Sequence, residues 1–199
     1  MADYINRSAG HLASDNTLYE PARSNNFEFV VMDIDDLLDA GVQEEFASDE
    51  DYIKNGQDVI RVSVISSSVP HFDLSTIEIK RGNSTVKFAG NPTFSDGELK
   101  LNDFVGARTK DALMAWQALA YDVNTEKIFS ASRYKKDCWL YEYTPDYDKV
   151  IRTWELKGCW ISKVSEDAFS NENNTKREIT ATVVYDKAIM HKPDEVVEQ

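Results

Sequence analysis

The sequence predicts a mainly β protein, an antiparallel β-sandwich or barrel with one flanking α-helix over about residues 109–122, an extended N-terminal arm and an acidic insertion. Three observations carry this. Val150 to Asp186 reads as two long runs of period-two alternation joined by a polar turn at Ser170 to Thr175, the pattern of a paired strand hairpin. Further short alternating runs recur between turn residues, as in sandwiches and barrels. One stretch only, TKDALMAWQALAYD from Thr109, has clear helical spacing.

In chain order, residues 1–26 are polar and without periodicity and read as an arm. A single domain is expected over 27–190, opening with Phe27 to Met32 as a first strand. Asp33 to Asp58 forms the acidic insertion; Ile34, Leu37 and Leu38 suggest a short helix stopped by Gly41, followed by a solvated loop. In DVIRVSVISSSVP, Ile60, Val62 and Val64 alternate and predict a strand. A hairpin of strands 74–80 and 85–89 turns at Arg81-Gly82-Asn83-Ser84. Asn91-Pro92 and Asp96-Gly97 read as turns, and Leu99, Leu101, Phe104 and Val105 as another strand.

In the helix, Thr109 is placed to cap and Asp111 suits the positive end, while Leu113, Trp116, Ala120 and Val123 form the apolar stripe. Tyr121 to Lys136 reads as a loop. In the strand Asp137 to Tyr143, Cys138, Leu140 and Glu142 oppose Trp139, Tyr141 and Tyr143. In the first long run, Arg152, Trp154, Leu156, Gly158 and Trp160 share one face, and Ile151, Thr153, Glu155 and Lys157 the other. In the second, Ile179, Ala181, Val183 and Tyr185 share a face. The end of the chain, from about Ala188 and with 191–199 as a flexible tail, is expected to fray.

Composition narrows function. With 199 residues, 42% of them hydrophobic, the chain supports one well-packed core. Its 22 Lys and Arg against 35 Asp and Glu give a net charge of −13, which disfavours adhesion to nucleic acid or an anionic membrane. Cys138 and Cys159 lie outside any metal-ligand or redox spacing and read as buried free thiols. No signal peptide and no run of ~18 apolar residues is present, so no membrane anchor is expected and the chain is read as made and kept in the cytosol.

The residues give no positive case for catalysis, a cofactor or a metal. His11, His71 and His191 are far apart, and no nucleophile elbow, phosphate loop or zinc helix occurs. Ser66-Ser67-Ser68 reads as a loop. A calcium loop opening at Asp33 would want Gly at its sixth position, where Leu38 stands.

Two blocks resemble the tail tube proteins of long contractile-tailed bacteriophages, whose fold is shared with type VI secretion tube proteins. The first is Ile77 to Ala120, with VKFAGNPTFSDGELKL, an acidic connection and a helix ending MAWQALA. The second is Arg152 to Asp186, with WELKGCWISKVSE, an Asn-rich turn and ITATVVYD. Arg23 to Met32 is a weaker echo. The chain departs from the family at Gly97, where many members have an aromatic, and at Ile161, where a Pro is frequent.

The resemblance implies a non-enzymatic structural subunit. Homohexameric rings would stack into a hollow tube inside the virion tail, assembled in the host cytoplasm, with the tail sheath, baseplate and tape measure proteins as partners. Genomic DNA would pass without specific binding through an acidic lumen. Residues 1–26 and the acidic insertion 33–58 are then candidates for inter-ring or sheath contacts. Related readings are a baseplate protein, a tail terminator or a secretion-type tube. A monomeric ligand-binding sandwich, using Trp139, Tyr141 and Tyr143 as an aromatic site, is a second alternative.

Overall fold

The computed structural model describes residues 21–34, 56–104, 109–166 and 176–192. The expected arm over 1–20, most of the acidic insertion, the turn at Ser170 to Thr175 and the last seven residues lie outside these. The architecture is mainly antiparallel β, as the sequence predicts, and no closed barrel forms among the described residues.

Strands β1 (Phe27–Val31), β2 (Val64–Ser67), β5 (Gly97–Asn102), β8 (Lys136–Tyr143), β9 (Val150–Glu166) and β10 (Glu178–Val184) pair in the order β1-β8-β9-β10-β5-β2. A further strand, β11 (Lys187–His191), also pairs with β9. Two hairpins form separate two-stranded ladders: the long pair β3 (Phe72–Arg81) with β4 (Ser84–Phe94), and the short pair β6 (Tyr121–Asp122) with β7 (Lys127–Ile128).

β9 belongs to both halves of the large sheet. Its first half lies between β8 and β11, and its second half pairs with β10. The transition is at Gly158, whose φ of 68° lies in the left-handed region. There the β8–β9 register slips by one residue, as a β-bulge does. The bulge corrects the expected alternation of β9. Thr153, Leu156, Cys159 and Ile161 are buried, and Trp160 shares no face with Leu156.

The two halves close on one apolar cluster. Phe29 and Val31 of β1, Cys138 and Leu140 of β8, Leu99 and Leu101 of β5, and Ile179, Ala181 and Val183 of β10 all belong to it. These are the alternate residues that each strand pattern marks as inward. Both cysteines are free and buried, as expected. Burial, then the hydrogen bond between the two sulfurs, pushes the Cys138 thiol far above its ordinary range.

Six further expectations change. The stretch expected as a strand through Ile60 and Val62 is a helix, α1 (Gly56–Ser63), with Val59, Ile60 and Ser63 buried and Val62 exposed. That is i, i+1, i+4 spacing, so the helical phase prevails over the β-branched composition.

The flanking helix α2 (Thr109–Ala118) ends before the expected boundary at 122. Leu113 and Trp116 are fully buried, yet Val123 is 78% exposed at the tip of the β6–β7 turn. Thr109 is the first helical residue and its hydroxyl pairs with that of Ser63 at 2.8 Å, tying α2 to α1. The loop expected over 121–136 holds that hairpin and a one-turn helix α3 (Ala131–Tyr134).

Asn91-Pro92, expected as a turn, lies inside β4, where Pro92 stands opposite Leu74 beside a register shift. Phe104 lies beyond the end of β5, and Val105 lies outside the described residues. The fraying expected after Ala188 does not occur through His191, because Lys187 to His191 are paired with Thr153 to Lys157; residues 193–199 lie outside the described residues.

Candidate assembly surface

Among the described residues, the β3–β4 hairpin carries the largest cluster of exposed apolar side chains. Gly82 supplies the positive φ, 58°, that the first central residue of a type II′ turn requires. Every residue of β3 is exposed. On one face Ile77 stands opposite Phe88 and Ile79 opposite Val86, and each of the four keeps about half of its surface in water. On the other face Glu78 and Lys87 pair at 3.2 Å. The hairpin is thus amphipathic, as a strand pair covering a core would be, with no core beneath the apolar face among the described residues. An isolated two-stranded hairpin is marginal in water, and a clustered apolar face of this kind marks an interaction surface.

Among the described residues, strand edges are also open. β1 and β2 end the strand order and do not pair with each other. Between them runs a groove of about 650 Å³, lined by Asn26, Phe27, Ile65, Ser66, Val69 and Arg152 among others. Unpaired edges of this kind are templates for strand addition by another chain.

The outer face of β8 carries an aromatic row. Trp139, Tyr141 and Tyr143 follow one another with ring centroids 6.2 and 6.4 Å apart, Tyr147 lies 5.7 Å beyond Tyr143, and His191 packs 5.8 Å from Trp139. The Tyr143 hydroxyl donates to Glu28 Oε2 at 2.7 Å. Burial first, and then this bond to a carboxylate, pushes the Tyr143 phenol well above its ordinary range. Beside the row, Glu155 accepts from Lys157, and its Oε2 lies 2.8 Å from His191 Nε2. These contacts, chiefly the Lys157 bond, hold the Glu155 carboxyl below its ordinary value. The three aromatics that a ligand-binding reading would use stand in a line along one strand instead of facing one another across a cleft.

Of the histidines, His71 sits before the hairpin and accepts at its carbonyl from Ser95 N, His191 ends β11, and His11 lies outside the described residues. Strand edges are the assembly surface that the family resemblance implies; the apolar hairpin face is not singled out from the sequence. The signal was present in Ile77, Ile79, Val86 and Phe88, four apolar residues on one face of a hairpin.

A sandwich with open edges and an amphipathic projecting hairpin defines a subunit built to associate with other chains. Residues 25–188 match the family described as T4-like virus tail tube protein gp19, and the chain belongs to that family. A search of curated proteins finds no match to this sequence.

Among solved structures, the chain is similar to one from the sheath-tube complex of an extracellular contractile injection system in its extended state. That match has 17% identity, 94% of this chain and 99% of the other covered, and a TM-score of 0.61. It is also similar to a chain of the tube-terminating cap of the anti-feeding prophage, at 16% identity, 90% and 97% coverage and a TM-score of 0.63. The sheath/tube terminator of the first system matches at 17% identity, 86% and 97% coverage and a TM-score of 0.58. At these identities the likenesses establish a common fold.

Proposed function

We propose that this chain is the structural subunit of a phage tail tube: six copies close into a ring, rings stack into a hollow conduit, and genomic DNA leaves the virion through it. The observation that carries the reading is the exposed apolar face Ile77, Ile79, Val86 and Phe88 on a family-member fold. Covering it against a neighbouring copy would contribute roughly 1.5–3 kcal/mol for each fully buried side chain. The role is passive and requires no catalytic residue, cofactor or metal. The net charge of −13 suits a conduit for a polyanion, since a basic lining would retain DNA. The tail sheath, baseplate and tape measure proteins are the partners such a tube requires.

Sedimentation velocity across a concentration series tests the reading. The expected species has six times the 22.6 kDa mass of the monomer, with larger stacks at higher concentration. A single 22.6 kDa species throughout would instead favour a monomeric binding sandwich.

The likeness to a tube-terminating cap and a sheath/tube terminator supports a second reading, a ring at the end of a tube in a phage or an injection system. Copy number in the isolated particle separates the two. A terminator is present as one ring, and a tube subunit as many.

A further inference from the structure

Cys138 and Cys159 are the two cysteines of the chain, and both are fully shielded from solvent. They lie on neighbouring strands, β8 and β9, on either side of the register slip, where Lys136 stands opposite Cys159 and Cys138 opposite Leu156. The two are therefore diagonal neighbours on the inward face. In a regular ladder such neighbours stand roughly 7–8 Å apart, too far for their sulfurs to bond without backbone movement. A bulge bends the strand locally, and here the sulfurs meet across it.

Two hydrogen bonds fix the contact. Cys159 gives its S–H to Leu156 O at 3.5 Å, so its sulfur folds back toward the residue opposite Cys138 and keeps its lone pairs to accept. The Cys138 thiol is hydrogen-bonded to that sulfur. Both side chains belong to the apolar core cluster, and no other thiol of the chain competes for either. Burial keeps the Cys138 thiol protonated, which suits a closed pair and not an exposed nucleophile.

We infer that Cys138 and Cys159 are a covalent modification site, at which a peroxide converts two thiols into a disulfide tying β8 to β9 across the Gly158 bulge. One sulfur, as thiolate, attacks a peroxide oxygen; the O–O bond breaks, water leaves, and a sulfenic acid remains. The other sulfur then attacks the first, its S–H bond and the S–O bond break, and a second water leaves. The pair loses two electrons, and the peroxide is reduced to two waters. A small uncharged oxidant suits so enclosed a pair, and a thiol on another molecule is kept out.

The bond joins the strands where β9 passes from one half of the sandwich to the other. It also closes the loop between Cys138 and Cys159 in the unfolded chain, which favours the folded state. The site is a property of the single subunit and holds whether or not copies assemble.

Peroxide treatment of the folded, full chain tests the site. After exposure to hydrogen peroxide the protein is unfolded, alkylated with iodoacetamide and digested, and the peptides carrying Cys138 and Cys159 are weighed. The expected result is joint loss of both alkylatable thiols, with the two peptides joined and no oxygen left on either sulfur. The urea midpoint of the treated protein should be higher before dithiothreitol than after it, because dithiothreitol reduces a disulfide and leaves methionine sulfoxide in place. Cys159→Ser should show no such dithiothreitol-dependent difference. Survival of both thiols through prolonged exposure overturns the proposal, as does sulfinic or sulfonic acid at either position, or a disulfide between two chains on a non-reducing gel. A midpoint lowered by the cross-link overturns it too, since the folded pair would then not fit the bond.

Discussion

Gly158 and Asp186 meet at the point where β9 passes from one half of the sandwich to the other, so closely that a Cβ on Gly158 would collide with the Asp186 carboxylate. The contact is held from both sides. Asp186 N donates to Lys157 O at 3.0 Å, and the carboxylate accepts from Lys135 Nζ at 2.8 Å. Opposite, Asp137 Oδ1 accepts from Gly158 N at 3.2 Å. The bulge, the β10-to-β11 break and the start of β8 are thus one feature. Gly158→Ala is expected to destabilise the fold by about 1–2 kcal/mol from the left-handed backbone alone. Urea unfolding measures it, and Asp186→Ala should relieve only the collision, leaving the backbone cost.

Trp116 is fully buried and gives its indole N–H to the Tyr134 carbonyl at 3.0 Å. Trp116→Ala should therefore cost about 3–5 kcal/mol. The same unfolding experiment reports it, and a variant of full stability would remove Trp116 from the core.

The hairpin predicts the opposite pattern. Ile77→Lys and Phe88→Asp alter exposed side chains of the subunit, so monomer stability should move by no more than about 0.5 kcal/mol. Assembly should be lost, because each buries a charge in the proposed contact. Sedimentation together with thermal melts separates the two effects. Normal assembly of both variants would exclude the hairpin from the interface.

Acid should weaken the fold through Glu155. Its folded pKa lies below the ordinary 4.5, so its contribution is fully present above that value and is lost as pH falls from 4.5 through the lower folded value. The stability difference between the native protein and Glu155→Gln is expected to be constant above pH 4.5 and to shrink below it. A difference unchanged into strong acid would show that Glu155 gains nothing from Lys157 and His191.

Much of the fold was legible from alternation. β8, β10 and the turn at Gly82 follow the expected pattern because period two has one reading where a single face is buried. The faces of β9 were not legible, since a bulge inserts one residue and swaps inward for outward without altering the local composition. α1 was hidden because Val59, Ile60 and Val62 are β-branched, and only packing against α2 and β1 decides between the periods. β11 reads as a charged tail because its pairing partner lies thirty or more residues earlier in the sequence. At the assembly surface, the hairpin was readable as a hairpin. That its apolar face stays exposed among the described residues is a fact of the fold.

Negative-stain electron microscopy of the purified, unsubstituted protein across a concentration series tests the central claim most directly. The account predicts six-fold rings with a central hole, stacking into tubes as concentration rises. Uniform monomers at the highest concentration would contradict it.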